Sequence, residues 1–150
     1  MSQALNLNTI LAQAGVKTDA TTGALTTPLH FSTTYQHPEF GQSTGYDYTR
    51  TKNPTRVSLE ETLAAIESAD YALATSSGMS AIVLAFSAFP VGSKVLAVRD
   101  LYGGSFRWFA QVEAEGRFAF TYANTEEELL NKLTEDIDIV YIETPTNPLM

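Results

Sequence analysis

Four short stretches carry side chains and backbone able to do chemistry, and each stands where the chain changes direction. In ALATSSGMSAI the small residues Ser76, Ser77 and Gly78 make a turn before a helix opening at Met79 and Ser80. The first N–H groups of a helix have no intrahelical acceptor, and the positive end of its dipole adds to them, so such a turn suits a phosphate. Gly78 has no Cβ and lets a ligand oxygen come close to the backbone. In YDYTRTKNPTR an extended backbone from Tyr46 to Arg50 puts Tyr48 and Arg50 on one face, a phenol and a guanidinium paired to clamp an oxyanion. In DLYGGSFRWF the ring of Tyr102 is able to stack on a flat heteroaromatic ligand, with Gly103 and Gly104 easing entry to the next helix. ETPTNPLM adds an acceptor, Glu143, and an amide, Asn147, in a loop fixed by two prolines. Each stretch has a plainer reading as connection or packing. In combination they describe a site for a phosphorylated planar cofactor.

The elements that must hold these groups read as a row of short apolar strands separated by helix-length segments. Strand 71–75 leads to helix 79–89, strand 94–98 to helix 104–114, strand 118–122 to helix 126–133, and strand 138–143 closes the row. This is the pattern of an α/β fold, a mainly parallel sheet with helices on both faces. Ligands of such sheets sit beyond the carboxyl ends of the strands, where Gly78, Tyr102, Glu143 and Asn147 fall. Upstream, Asn53-Pro54-Thr55 turns the chain into a helix, since Pro is favoured at a first helical position; Ser58 and Glu61 offer a later, capping-box start. Leu59, Leu63 and Ile66 give that helix its apolar face. Residues 1–45 differ: Leu5, Leu7, Ile10 and Leu11 suggest a short helix ending at Gly15, followed by a long Thr, Ser, Gly and Pro-rich stretch. An arm that finds its contacts on a neighbouring subunit fits this composition. The expected division is an arm, 1–45, and the first part of a cofactor-binding domain, 46–150.

Composition narrows the classes. With 150 residues, 44% hydrophobic and 17% charged, the chain suits one ordinary globular domain. A net charge of −8 disfavours nucleic acid and acidic membrane surfaces as partners, so an anionic ligand must be held by local donors. The absence of cysteine removes disulfides, thiolate metal sites and cysteine nucleophiles, and His30 and His37 have no zinc-site spacing, so no metal is expected. No run reaches the length of a membrane span, and a cytoplasmic location is the expectation. Neither a G-x-G-x-x-G after a strand, nor a Walker pattern, nor a G-x-S-x-G elbow is present, which weakens dinucleotide, nucleoside-triphosphate and serine-hydrolase readings.

YDYTRTKNPTR, SSGMSAI, DLYGGSFRWF and ETPTNPLM, in this order and at these distances, resemble the pyridoxal-phosphate enzymes of cysteine and methionine metabolism: cystathionine γ-synthases, cystathionine β- and γ-lyases, homoserine-ester thiolyases and methionine γ-lyases. The resemblance covers nearly the whole chain. It implies an aspartate-aminotransferase-like (fold type I) large domain, incomplete in this chain, behind an extended N-terminal arm. It also implies pyridoxal 5'-phosphate as cofactor, with Gly78 and Met79 binding its phosphate, Tyr102 stacking on its ring and Asn147 near its 3-oxygen. Tyr48 and Arg50 would reach the phosphate in a neighbouring subunit, and Tyr48 and Tyr102 would be the catalytic residues, Tyr48 through proton transfer. The implied assembly is a homo-oligomer, a dimer of dimers, acting on a small amino-acid substrate. None of Lys17, Lys52, Lys94 and Lys132 stands at the family's cofactor-bearing motif, and that lysine and the acid for the pyridine nitrogen are expected beyond Met150. Methionine γ-lyases characteristically have cysteine at the position of Gly104, so that branch fits less well. Synthase or thiolyase is the leading reading, β- or γ-lyase the first alternative, and a non-catalytic phosphate-binding or interaction fragment the alternative of another class.

Overall fold

The computed structural model describes residues 6–14, 16 and 18–146. The chain divides into two compact units, 1–74 and 75–150.

The second unit is built on a three-stranded parallel sheet. Its strands are β1 (Ser93–Val98), β2 (Phe118–Ala123) and β3 (Ile139–Tyr141), in the order β2-β1-β3. The strands are rich in branched and aromatic residues, which fit a pleated buried surface. Val95, Leu96 and Ala97 of β1 are all fully buried, so the central strand is covered on both faces. Helices connect the strands: α3 (Gly78–Phe86) precedes β1, α4 (Gly103–Ala114) joins β1 to β2, and α5 (Glu126–Lys132) joins β2 to β3. Each ends for a local reason. Thr125 caps α5 by accepting from the Glu128 N–H, and Gly116, at φ +70°, takes the left-handed conformation that closes α4.

The core is largely aromatic. Phe86 of α3, Val95 and Ala97 of β1, Leu101, Phe109 and Val112 of α4 and Phe118 of β2 form one cluster. Phe109 stacks on Phe120 at 4.5 Å and meets Tyr141 edge-on at 4.9 Å. Such pairs add about 0.5–1.5 kcal/mol beyond area burial, and here they also fix the ring of Tyr141 at the sheet's end.

The first unit is held differently. Helix α1 (Leu7–Ala12) packs against α2 (Pro54–Ile66), and between them runs a long stretch whose described residues form isolated bridges only. Asn53 caps α2 by accepting from the Thr55 N–H at 2.9 Å, with Pro54 in the first turn, so the earlier of the two sequence-predicted starts is the observed one. Polar side chains tie the stretch to that start. The Asn53 amide donates to His30 O and Thr49 Oγ1, Thr55 Oγ1 accepts from the His30 N–H, and Arg56 donates to Thr51 O. Leu5 and Gly15, expected at the ends of the first helix, lie outside the described residues.

Two local expectations are corrected. Residues 71–75 are not a strand: they enter no ladder among the described residues, and the Ala74 N–H donates instead to Glu60 Oε1 at 3.0 Å. Apolar alternation there is real, but a strand needs a neighbour, and these residues have none among those described. Residues 46–50 are not extended throughout. Tyr48 bridges to Thr34, and the N–H groups of Thr51 and Lys52 both donate to Tyr48 O at 3.0 Å, closing a turn over Thr49 and Arg50. The remaining strands and helices stand within a few residues of their expected bounds.

Candidate functional site

Beyond the carboxyl ends of β1 and β3 the second unit has an open cleft of about 340 Å³, lined by Ser77, Gly78, Met79, Ile82, Tyr102, Ser105 and Glu143. Three of the four sequence motifs meet there. From the first, Ser77 caps α3, its Oγ accepting from the Ser80 N–H at 3.1 Å. This leaves the N–H groups of Gly78 and Met79 in the helix's first turn, where no intrahelical acceptor reaches them. A Cβ added at Gly78 would meet nothing within 4 Å, so the backbone is open to an incoming group.

Tyr102 stands at the N-cap of α4 with its side chain 45% exposed, enough of the ring for a flat ligand to cover. The ring lies against Gly104, where a Cβ would come within 2.3 Å of Tyr102 Cε1. Glycine at 104 is what permits this close approach.

Glu143 closes the cleft. Its Oε2 accepts from the Tyr102 backbone N–H at 2.7 Å, and its Oε1 accepts from the Tyr141 hydroxyl at 2.7 Å and from Ser105 Oγ at 2.9 Å. Burial works to raise its pKa, but the donors from Tyr141, Tyr102 and Ser105 outweigh burial and hold it below the usual carboxylate range. Burial pushes the Tyr141 phenol up to about 12, and the neighbouring carboxylate adds to this, so Tyr141 stays a donor. Thr146 Oγ1 donates to Asp100 Oδ2 at 2.6 Å, a second tie between the loops that follow β3 and β1. Among the described residues no lysine lines this cleft. Lys94, at the opposite end of β1, pairs with Asp136 at 2.5 Å, and Lys132 donates to Tyr122 O and Glu128.

In the first unit, Tyr48 and Arg50 come together despite the turn. Arg50 Nη2 donates to Tyr48 Oη at 2.6 Å, and its guanidinium lies 5.2 Å from the centre of the Tyr48 ring. Tyr48 is half-buried and Arg50 exposed. Asn147 lies outside the described residues.

Sequence reasoning singled out Gly78, Met79, Tyr102 and Glu143, but passed over Ser105 and Tyr141. A signal for Ser105 was present: Ser105, Phe109 and Val112, at i, i+4 and i+7, form the buried stripe of α4, and a serine in an apolar stripe needs a polar partner. Tyr141 ends β3 and Glu143 follows two residues later, close enough for the Tyr141 hydroxyl to donate to it.

Comparison with known proteins gives the family of the chain. Residues 8–150 match the family described as Cys/Met metabolism PLP-dependent enzyme. The chain is 42% identical over its whole length to a cystathionine γ-synthase/O-acetylhomoserine (thiol)-lyase of Bacillus subtilis, of which it covers 40%. It is 38% identical over 95% of its length to a cystathionine γ-lyase of the same organism, of which it covers 38%. Among solved structures it resembles cystathionine γ-synthase from Xanthomonas oryzae pv. oryzae in complex with cystathionine, at TM-score 0.88 and 36% identity over 97% of this chain and 38% of that one. The chain therefore spans about two fifths of the length of these relatives. That likeness puts the parallel sheet and its helices in the fold-type-I architecture, of which they form a part.

Proposed function

Since the chain belongs to the pyridoxal-phosphate-dependent enzymes of cysteine and methionine metabolism, we propose that it supplies the phosphate-binding and ring-stacking half of a transsulfuration active site. The whole protein's reaction, on this reading, is γ-replacement on an activated homoserine, as in a cystathionine γ-synthase or O-acylhomoserine thiolyase. The observation that carries it is the cleft, where the open first turn of α3, the exposed ring of Tyr102 and the carboxylate of Glu143 meet.

These residues fit the cofactor. The N–H groups of Gly78 and Met79 would bind its phosphate, and the helix dipole favours the negative charge there. The ring of Tyr102 would cover one face of the pyridine, and Asn147 would face its 3-oxygen. When bound, pyridoxal phosphate supplies an electron sink that acidifies the α-proton of an amino-acid substrate and allows a β or γ substituent to leave or be replaced. Tyr48 and Arg50 would add a cation and a phenol to the phosphate in a neighbouring subunit, with Tyr48 able to carry a proton. The reading includes residues 1–45 as an arm on that neighbour, in a cytoplasmic dimer of dimers. The exposure of Leu25, Leu29, Phe31 and Phe40 supports the arm, since these apolar groups have no cover within their own unit. Among the described residues no helix is long and apolar enough to cross a membrane.

The test is to reduce the whole protein with borohydride and measure its intact mass, then assay it with cysteine plus an O-acylhomoserine and, separately, with cystathionine. A phosphopyridoxyl adduct and cystathionine formation are expected. Thiol release from cystathionine as the faster reaction would select the lyase, a second reading that the 38% identity to a γ-lyase keeps open. No adduct would end both and leave the non-catalytic fragment.

A further inference from the structure

We infer that Glu143 is the positioning residue for Tyr102, holding the ring over the cleft by bridging the Gly103-Gly104 pair at the start of α4. This rests on the reading of the cleft as a pyridoxal-phosphate site.

Tyr102 begins a helix of twelve residues, yet no side chain of its own segment caps that helix. The cap comes from the loop after β3, where Glu143 Oε2 accepts the Tyr102 N–H at 2.7 Å. The other oxygen, Oε1, accepts from Ser105, which is fully buried in the first turn of α4. One carboxylate thus grips the backbone before the glycine pair and a side chain after it. Between those grips lie two residues with the widest backbone freedom of any. Glycine is needed at 104 because the ring rests there, where any Cβ would collide with it. The same freedom would let Tyr102 swing away from the cleft unless both ends are tied. Tyr141 completes the arrangement by donating to Oε1, and Phe109 holds the Tyr141 ring from the core. Glu143 acts through geometry and not as a proton carrier, since both its oxygens are already occupied by donors.

A bridge and a charge respond differently to substitution. In Glu143→Gln the amide carbonyl still accepts from Tyr102, and its NH₂ donates to the Ser105 and Tyr141 hydroxyl oxygens, which can accept as well as donate. Glu143→Asp keeps the charge but is shorter by one methylene and reaches only one side of the glycine pair. Glu143→Ala removes the bridge.

The experiment uses the whole protein, stripped of cofactor and titrated with pyridoxal phosphate, reading dissociation constant and visible circular dichroism per bound cofactor. Glu143→Ala and Glu143→Asp are expected to weaken binding about tenfold and to diminish the dichroism, whereas Glu143→Gln stays within about threefold of wild type. In a Tyr102→Ala background, Glu143→Ala is expected to change neither quantity further. Should Glu143→Ala not fold, the order of Gln over Asp still decides. Retention by Asp with loss by Gln would make the role one of charge. An undiminished effect of Glu143→Ala in the Tyr102→Ala background would make it one of general stability. Either result, or no effect at all, overturns the inference while wild-type binding stands. Failure of the wild type itself to bind would remove the site reading and the inference with it.

Discussion

The two units of this chain are held by opposite means. In residues 75–150 Phe86, Leu101, Phe109, Val112 and Phe118 form one buried cluster with Val95 and Ala97 of the central strand, where Val95, Leu96 and Ala97 are fully buried. In residues 1–74 Ala64 is the one buried hydrophobic residue among those described, and the long stretch before α2 is tied down by hydrogen bonds donated by Asn53 and Arg56 and accepted by Thr55. Its large apolar side chains face outward, Phe31 at 90% and Phe40 at 106% relative exposure. Apolar burial makes the second unit a scaffold able to fix a cleft. Polar ties give the first a defined path without a core, which suits a segment completed by contacts outside itself.

The largest contrast is in stability. Phe109→Ala empties the centre of the aromatic cluster and is expected to cost about 3–5 kcal/mol in denaturant unfolding. Phe40→Ala removes a ring that buries nothing in its own unit and is expected to cost less than about 0.5 kcal/mol in the dissociated chain. A comparable loss from both would mean that the first unit hides a core of its own. In the assembled protein the arm reading adds that Phe31→Ser or Phe40→Ser shifts the sedimentation distribution toward smaller species.

The same contrast explains what was legible in the sequence. Apolar periodicity reports burial, so the strands and helices of the second unit stood close to their expected positions, and its glycine and tyrosine motifs fell at the sheet's edge. It reported badly where polar groups decide. YALAT reads as a strand, but its ladder depends on a partner that no local pattern reveals, and Glu60 takes its backbone donor instead. The turn at Thr49 and Arg50 is set by donors converging on Tyr48 O, which alternation does not register. Glu143 was visible as an acceptor, but its donors Tyr102 and Ser105 are about forty residues away in sequence. Only the serine in the buried stripe of α4 hinted at them.

Next in size come two changes to ligand binding, one in each unit. Arg50→Ala is expected to weaken pyridoxal-phosphate binding by about ten- to a hundredfold through loss of a charge-assisted contact. If Arg50 serves a neighbouring subunit, mixing Arg50→Ala with Tyr102→Ala protein restores a fraction of sites that contain neither lesion. Absence of any recovery on subunit exchange would mean that one subunit supplies both residues to its site. Gly104→Ala is expected to leave stability within about 1 kcal/mol, since it trades glycine for a better helix former, yet to displace the Tyr102 ring and reduce the cofactor's dichroism. An unaltered spectrum would show that the ring does not rest on position 104 when ligand is bound.

The smallest effect separates the units by the partners of their carboxylates. In the second unit, Glu128 is drawn down to about 2, first by the Asn124 backbone N–H and then by Lys132 and the Asn124 amide. In the first, Asp47 is lowered chiefly by the Ser43 hydroxyl, which outweighs desolvation, with help from His37. For Glu128 the folded-state pKa lies below the unfolded one. Its stabilisation is therefore complete above the ordinary value of 4.5 and is lost as pH falls toward about 2. The group is exposed, so the expected signal is a gentler acid slope in Glu128→Gln, not a large shift in midpoint. Carboxyl NMR titration tests the cause directly. Glu128 should titrate near 2 in wild type and higher in Lys132→Met, but still below its ordinary value because the Asn124 donors remain. A Glu128 that titrates at its ordinary value in the wild type would mean that the α5 start is not held as described.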